Sequence, residues 1–233
     1  MNIKNLIVIL ILGGLLTGCS NTSKTTNEKV ENSVTRMVTE ANSVTTNVSK
    51  KQDVTSNKIN NEFELVISDD NFDAFVDSEE HADLTSLQVY GDLNSTLISL
   101  NGIENLKNLK KLNISVPTVT DISALKGKTT ISSFGAPSSL SDKDMEVIGS
   151  MTGLTYLGLG GFEEGTTYQI SNITALSSLT KLEVLVLCNL PIKDYSPLYN
   201  LSNLKQLTIS FNIPQEQIDE VKEHLPNCEV ICI

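Results

Sequence analysis

Apolar residues return along the second part of the chain in the unit Leu-x-x-Leu-x-Leu, with mostly polar residues between them. The six units are Leu84/Leu87/Val89, Leu109/Leu112/Ile114, Ile131/Phe134/Ala136, Leu154/Leu157/Leu159, Leu182/Leu185/Leu187 and Leu204/Leu207/Ile209. Their middle residues are separated by 25, 22, 23, 28 and 22 positions, which is typical of a solenoid. A further step of 23 positions reaches Val230, so the pattern predicts one more strand at the end of the chain.

A second apolar series, with a spacing of three residues, fills the intervals between these units. Its members are Leu97/Leu100/Ile103/Leu106, Val119/Ile122/Leu125, Ile170/Ile173/Leu176/Leu179 and Ile192/Tyr195/Leu198/Leu201. This spacing is typical of helical or 3₁₀ turns that bury one face. Each unit therefore predicts a strand, a turn and a helical return, and the whole predicts an α/β solenoid with a parallel sheet.

The repeats resemble those of bacterial leucine-rich repeat proteins of the internalin-like type. The resemblance is clearest in Ser99-Leu-Asn-Gly-Ile-Glu-Asn-Leu-Lys-Asn-Leu-Lys-Lys-Leu-Asn-Ile114 and in residues 194–209, and it covers residues 62–233. It implies a leucine-rich repeat domain with a concave parallel β-sheet, and it implies partner binding without identifying the partner.

The match to that family is irregular. An Asn that normally follows the strand is present at only one of six positions, which are Asp92, Pro117, Ser139, Phe162, Leu190 and Asn212. Lys128 occupies an inward position, and the segment from Gly160 to Gly165 lengthens one unit to 28 residues. We therefore expect an irregular solenoid.

Both ends of the repeat array carry sequences that predict caps. Phe63–Ile67 predicts a strand, and 70–80 predicts a helix that buries Phe72, Phe75 and Val76; this pair resembles the N-terminal cap of the same family. A second helix, marked by Ile218, Val221 and Leu225, precedes the last strand. A strand-helix cap and a helix-strand cap are therefore expected.

The N-terminal 18 residues resemble a lipoprotein signal peptide. A basic start precedes an apolar run from Leu6 to Leu12, which is too short to span a bilayer. The following Leu16-Thr17-Gly18-Cys19 resembles a lipobox, which implies diacylglycerol on Cys19 and anchoring to the outer face of a bacterial membrane. An ordinary signal peptide and an uncleaved anchor are the alternatives.

Residues 19–61 predict a polar tether behind Cys19. From Ser20 to Asn61 there are 22 Ser, Thr or Asn in 42 residues, with no Gly, Pro or aromatic residue. Within it, Val30, Val34, Met37, Ala41, Val44 and Val48 have the spacing of a short helical seam. The Thr, Ser and Asn between them favour turns, so a flexible spacer and a partly helical one both remain open.

The net charge of the chain excludes one class of function. The chain has 17 Lys and Arg against 28 Asp and Glu, a net charge of -11, which repels a phosphate backbone and excludes general nucleic-acid binding. Residues 62–233 carry 24 acids and 10 bases. This acidity favours a basic partner, although solubility alone explains it equally well.

Candidate chemistry is sparse. Asp69, Asn71, Asp73, Asp77 and Glu80 match a calcium-loop template, but Ala74 stands where that template needs Gly, and a capping helix is the alternative interpretation. The two histidines, His81 and His224, have no zinc spacing, and no nucleophile motif occurs. We predict no catalysis, no metal and no cofactor.

Three cysteines lie in the repeat region. The pattern points Cys232 inward and Cys188 outward, and it places Cys228 before the last strand. A Cys188–Cys228 disulfide and three free thiols both remain open.

Alternation along the strands predicts the residues available to a partner. With the Leu positions inward, the concave face exposes Ser86, Gln88 and Tyr90; Lys111, Asn113 and Ser115; Ser133 and Gly135; Tyr156, Gly158 and Gly160; Val184, Val186 and Cys188; Gln206, Thr208 and Ser210. From these, the predicted partner-binding residues are Lys111, Asn113, Tyr156, Val184, Val186, Gln206 and Thr208. Tyr156, Val184 and Val186 form an apolar spot among polar neighbours.

The sequence therefore predicts a surface lipoprotein whose monomeric repeat domain binds a protein, or a polysaccharide, without catalysis. The alternative is a structural spacer of the cell envelope that has no specific ligand.

Overall fold

A computed structural model describes the backbone of residues 62–66 and, in full, residues 71–161, 167–210 and 212–233. The predicted signal peptide (1–18), Cys19 and the tether with its helical seam lie outside the described residues. Within the described part, no helix has both the length and the apolar character needed to cross a bilayer.

Eight parallel strands form one sheet in which sequence neighbours are always spatial neighbours. The strands are β1 Glu62–Val66, β2 Ser86–Tyr90, β3 Lys111–Ser115, β4 Ser133–Gly135, β5 Tyr156–Gly160, β6 Val184–Cys188, β7 Gln206–Ile209 and β8 Glu229–Cys232. All six predicted repeats and the additional strand at Val230 are confirmed. The architecture is a leucine-rich repeat solenoid.

The register between strands follows the repeat without a slip. The middle apolar residue of each unit is paired with the middle residue of the next: Leu87, Leu112, Phe134, Leu157, Leu185, Leu207 and Val230. Because side chains alternate along a strand, this pairing places every Leu position of the sheet on the same side. The core is therefore a continuous row of apolar side chains between the sheet and the helical returns.

The returns between strands are short helices, as the three-residue spacing predicts. Five returns carry 3₁₀ helices, at Ile103–Asn105, Ser123–Leu125, Asp142–Asp144, Thr174–Ser178 and Ser196–Leu198. In the return after β4, the 3₁₀ helix is followed by helix α2, Met145–Gly149. A polar side chain two residues upstream begins several of them. The Asp121, Asn172 and Asp194 oxygens each accept a backbone N–H at 2.9 Å.

The repeat around Phe134 has a shorter strand than the others, but it packs into the same core. Its strand, β4, has three residues, and Ile131 and Phe134 are fully buried. Lys128, at an inward position, is half-buried and its Nζ lies 3.4 Å from the Ile103 carbonyl oxygen. Burial lowers the pKa of Lys128, and the nearby Glu104 carboxylate opposes that shift.

The N-terminal cap differs in part from its prediction. Helix α1 spans Asn71–Val76 and buries Phe72, Phe75 and Val76 as expected. The predicted continuation to Glu80 is wrong, because Ser78 has an extended backbone and its hydroxyl accepts the Glu80 N–H, so a separate 3₁₀ turn begins there. The C-terminal cap is confirmed by helix α3, Gln215–His224, which buries Ile218 and Val221 ahead of β8.

The predicted side of Cys188 and of Cys232 is confirmed, and Cys228 directly precedes β8 as predicted, but the expected exposure of the first two thiols is wrong. Cys188 is 2% exposed although it points to the concave side, and Cys232 is exposed although it belongs to the inward row, because β8 is the last strand of the described sheet. The three thiols are free. A Cys188–Cys228 bridge is prevented because β7 separates β6 from β8, a gap of about 10 Å, whereas bridged Cα atoms lie within about 7 Å.

One carboxylate ties the longest coil to the preceding one. Asp142 Oδ1 accepts the backbone N–H groups of Ser171 and Asn172 at 2.7 and 2.9 Å, and Oδ2 accepts the Ser171 hydroxyl at 2.7 Å. The Asn172 N–H is the largest of the influences that hold the pKa of Asp142 below its ordinary value, and partial desolvation opposes them. Asp142 therefore fixes the chain where it returns from the inserted segment.

The substitution Asp142→Asn is expected to lower the free energy of unfolding at pH 7 by about 1 kcal/mol, because one charged acceptor is lost. The unfolded pKa is about 3.9 and the folded value is lower, so the carboxylate stabilises the fold above that range and ceases to do so as pH falls through the folded value. Urea unfolding at pH 7 and pH 3 should show a difference that narrows in acid. A constant difference would contradict this role, and Glu223→Gln on the exposed side of α3 is the control.

Thiol reactivity is expected to follow burial. Burial raises the pKa of Cys188 and of Cys228 to about 11, whereas Cys232 is exposed. Because the thiolate is the reactive form, iodoacetamide at neutral pH should modify Cys232 at least about tenfold faster than the other two, as measured by peptide mass spectrometry. Equal rates in the folded protein would show that Cys188 and Cys228 are accessible, and equal rates in urea are the control.

Candidate functional site

The candidate site is the concave side of the sheet, where two rows of side chains cross the strands in register. The first row contains Lys111, Ser133, Tyr156, Val184, Gln206 and Glu229, and the second contains Asn113, Gly135, Gly158, Val186, Thr208 and Ile231. All seven predicted partner-binding residues lie in these rows. Tyr156, Val184 and Gln206 are direct neighbours, whereas Lys111 lies two strands from Tyr156.

The predicted partner-binding residues differ in how much of each side chain is exposed. Lys111 is exposed, and five others are half-buried: Asn113, Tyr156, Val184, Val186 and Gln206. The predicted exposure of Thr208 is wrong, because Thr208 is 7% exposed between the larger Val186 and Ile231 on either side. The predicted exposure of Ser86, Gly135, Cys188 and Ser210 is also wrong, because all four residues are buried. Alternation determines which side a residue faces, but the neighbouring side chains determine how much of it remains accessible.

Tyr156 lies along its own strand because Gly158 has no side chain. A Cβ atom on Gly158 would lie 3.3 Å from the Tyr156 hydroxyl and 3.7 Å from its ring. Burial, with a smaller contribution from the Cys188 thiol, raises the pKa of Tyr156. The phenol is therefore neutral at physiological pH, and it adds a polar group to an otherwise aliphatic spot.

Asn113 is placed by a second glycine. A Cβ atom on Gly135, the next strand's residue in register, would overlap the Asn113 Oδ1 atom. The Asn113 amide therefore covers Gly135, which is buried, and its Nδ2 lies 3.5 Å from the Ser115 hydroxyl. Gly135 therefore lets the Asn113 side chain lie across to the next strand, and Gly158 leaves room for the Tyr156 ring along β5.

One member of the apolar spot was missed by the sequence reasoning. Ile231 is half-buried and lies in the row of Val186 and Thr208. The alternation that places Val230 inward also places Ile231 outward, so the signal was present in the last strand. The apolar spot therefore consists of Tyr156, Val184, Val186 and Ile231, and we use that name for these four residues.

The carboxyl ends of β5, β6 and β7 are joined by Asn189. Its backbone has φ 55°, its N–H donates to the Ser210 hydroxyl at 2.6 Å, and its side-chain amide donates to the Gly161 carbonyl at 2.7 Å. The family pattern expects an Asn at the position of Leu190, one residue later. Asn189 performs the bridging there and holds three successive coils at the edge of the candidate site.

The described residues contain little that resembles a catalytic or metal centre. His81 Nδ1 lies 2.7 Å from the Phe75 carbonyl, and His224 stacks on Tyr199 with ring centroids 3.9 Å apart. His81 is therefore partly buried in the N-terminal cap, whereas His224 is an exposed residue at the end of α3. No group of three or more His, Cys, Asp or Glu in the described ranges is arranged to hold a metal.

The calcium-loop prediction falls on the N-terminal cap. Asn71–Val76 is helical, and the Asp77 carboxylate accepts the Asn105 amide at 2.8 Å, which ties the cap to the next coil. Asp69 lies outside the described residues. The backbone follows the helical interpretation over Asn71–Val76 and departs from it before Glu80.

A cavity of about 490 Å³ opens between the coils at Ile173, Pro191, Lys193 and Pro197. The nearby Asn172 and Asp194 side-chain oxygens already accept backbone N–H groups. Ser171 also lines the cavity, and its hydroxyl already donates to the Asp142 carboxylate.

Comparison with known proteins supports the fold. No protein-family model and no curated protein matches the chain. An internalin, InlF from Listeria monocytogenes, has a TM-score of 0.51 and 24% identity, over 65% of this chain and 42% of that one. An internalin C2 from the same organism also matches at 24% identity, over 66% of this chain and 73% of that one, but its TM-score of 0.41 is too low to add to the argument. The chain spans less than half of InlF, and what it shares with InlF is the leucine-rich repeat fold.

Proposed function

We propose that this chain is a lipid-anchored bacterial surface protein whose concave face binds a protein partner without catalysis. The observation that carries the proposal is the apolar spot, because four half-buried apolar side chains lie in two adjacent rows of a face whose other residues are mostly polar. Residues of this kind at the centre of a surface, surrounded by polar neighbours, are typical of protein interfaces.

The geometry favours a protein over a polysaccharide. Val184, Val186 and Ile231 offer aliphatic surface, and sugar recognition needs a higher density of polar donors and acceptors. Lys111 at one end of the first row and Glu229 at the other are both exposed and carry opposite charges. A partner with an apolar anchor between an acidic and a basic group complements this row.

A structural spacer without a specific ligand is the second candidate. The observation that favours it is the acidity of residues 62–233, with 24 acids against 10 bases, which promotes solubility without any partner. A spacer needs no preformed side-chain arrangement on its concave face, and for that reason we place partner binding first.

The anchor is proposed from Leu16-Thr17-Gly18-Cys19 and the apolar run before it. Each acyl methylene is worth about 0.8 kcal/mol in a bilayer, so two or three chains on one cysteine hold a protein at a membrane face. The polar segment to Asn61 then places the repeat domain outside the lipid surface, where a partner can reach it.

The double substitution Val184→Lys/Val186→Lys is expected to weaken partner binding by at least about tenfold, because two charges enter an apolar contact. Cross-linking in intact cells, followed by mass spectrometry, identifies the partner with the unaltered protein. The matched control is Thr152→Lys/Ser202→Lys, which adds the same charge at exposed turn positions. Recovery of the same partner with both variants would remove the concave face from consideration, and diffuse cross-linking to wall material would favour the spacer.

Cells fed radioactive palmitate should label the unaltered protein and leave Cys19→Ala unlabelled. The physical reason is that the Cys19 thiol is the proposed acceptor of the lipid. Cys232→Ala, which removes an exposed thiol, is the control and should keep the label. Label on the Cys19→Ala protein would refute the anchor and leave the partner-binding proposal intact.

A further inference from the structure

Two large aliphatic side chains project from one loop at the N-terminal end of the repeats. Leu93 is 83% exposed and Ile98 is 63% exposed, whereas the Leu and Ile residues of the neighbouring coils form the core. Both belong to residues 91–98, the connection that follows β2, and we call this segment the Leu93 loop. We propose that the Leu93 loop docks a cationic, amphipathic segment of a partner protein, at a site separate from the concave face.

The Leu93 loop is held in place by its own hydrogen bonds. The Asp92 side chain accepts the Asn94 N–H at 2.7 Å, and the Asp92 carbonyl accepts the Ser95 N–H at 3.1 Å. At its end, the Ile98 carbonyl accepts two backbone N–H groups of the next coil, from Thr120 and Asp121, both at 3.0 Å. The exposed side chains are therefore presented by an ordered loop, so a partner meets them with little ordering cost.

The buried side of the loop is also anchored. Leu97 packs against the core, and its carbonyl accepts the Thr118 hydroxyl at 2.7 Å. Gly91 donates its N–H to the Ser115 carbonyl at 3.1 Å. Leu97 is therefore the side chain by which this loop packs against the core, and Leu93 and Ile98 lie outside the core.

Stacking does not need the extra length of this loop. The spacing from Leu87 to Leu112 is 25 residues, three more than the 22 that separate Leu112 from Phe134 and Leu185 from Leu207. Shorter coils of the same domain close their turns and pack their cores. The longer coil therefore adds exposed apolar surface that the fold itself does not use.

The charge around the loop selects the chemistry of the occupant. Along the sequence, the segment 71–106 that contains the loop has seven acids and no Lys or Arg, although Asp83 lies at the opposite, amino-terminal end of β2. Asp92 adjoins Leu93, and the Asp121 carboxylate lies 3.2 Å from the hydroxyl of Ser99, next to Ile98. Lys143 exerts only a minor Coulombic effect on Asp121. An apolar pair beside carboxylates complements a segment that carries Lys or Arg on either side of its own apolar residues.

The same two side chains could insert into a lipid bilayer, but the charge opposes that occupant. Bacterial membranes that carry anionic lipids repel an acidic surface, and membrane-binding loops normally pair aliphatic residues with Lys or Arg. We therefore assign the loop to a protein segment and make lipid binding an outcome of the test.

The probe is a fluorescein-labelled amphipathic peptide of about 14 residues, with Leu on one helical face and Lys on the other. A peptide of the same composition in scrambled order is its control. Fluorescence anisotropy is measured with the unaltered protein, with Leu93→Ser/Ile98→Ser, with Ile233→Ser, and with Val184→Ser/Val186→Ser. Each variant leaves the net charge unchanged, and urea unfolding checks that each is folded.

The unaltered protein is expected to bind the amphipathic peptide at least about tenfold more tightly than the scrambled one, and added salt should weaken binding. Leu93→Ser/Ile98→Ser should abolish that preference, and Ile233→Ser, which removes another partly exposed aliphatic residue, should keep it. Equal binding by all variants would overturn the proposal, because it would show attraction by net charge alone.

Two further outcomes distinguish this proposal from peptide binding at the concave face and from membrane binding by the loop. Loss of the preference only in Val184→Ser/Val186→Ser would assign the peptide to the concave face and would overturn the loop site while supporting the proposed function. Sedimentation with vesicles of phosphatidylcholine, with or without phosphatidylglycerol, that depends on Leu93 and Ile98 would assign the loop to a membrane and overturn the protein-segment proposal.

Discussion

The structure depends on the lateral burial of one apolar row by the next. No single coil can enclose its own leucines, and Leu157 or Leu185 is fully buried only because a similar residue lies directly beside it on either strand. The backbone enforces that alignment: Tyr156 donates its N–H to the Ser132 carbonyl and Val184 donates to the Thr155 carbonyl, each at 3.0 Å. Hydrophobic burial and parallel hydrogen bonding therefore select the same register, and a slip of one residue would lose both.

Much of this architecture could be predicted from the sequence, because the spacing of the repeats also determines which residues of neighbouring strands are paired. A middle residue every 22 to 28 positions fixes the pairing from Leu87 to Val230, and the paired strands follow. The break in the N-terminal cap at Ser78 was not predicted, since it depends on a competition between helix continuation and a new cap that the apolar pattern does not report. The exposure of Cys232 depends on the absence of a covering strand in the described sheet, which is a tertiary property.

The candidate site was predicted only in outline for a related reason. Alternation gave the correct side for Lys111, Asn113, Tyr156, Val184, Val186, Gln206 and Thr208. It could not report that Asn113 and Tyr156 extend over glycines, or that Thr208 is covered by its neighbours. A strand residue's accessible surface is set by side chains from adjacent strands, and these become neighbours only when the coils stack. Glycine positions on the concave rows therefore carry as much information about the surface as the larger residues do.

The hydrogen bonds that Asp142 accepts from Ser171 and Asn172 affect how the domain unfolds. A solenoid has no contacts between distant coils, so its cooperativity is transmitted only from each coil to the next. Three hydrogen bonds to one carboxylate add to the strand pairing that joins the longest coil to its predecessor, at the point where the regular spacing is interrupted. Weakening that junction divides the array into an amino-terminal and a carboxyl-terminal block, each with its own opening equilibrium, and amide exchange would then proceed at two distinct rates on either side of a boundary that the intact protein does not have.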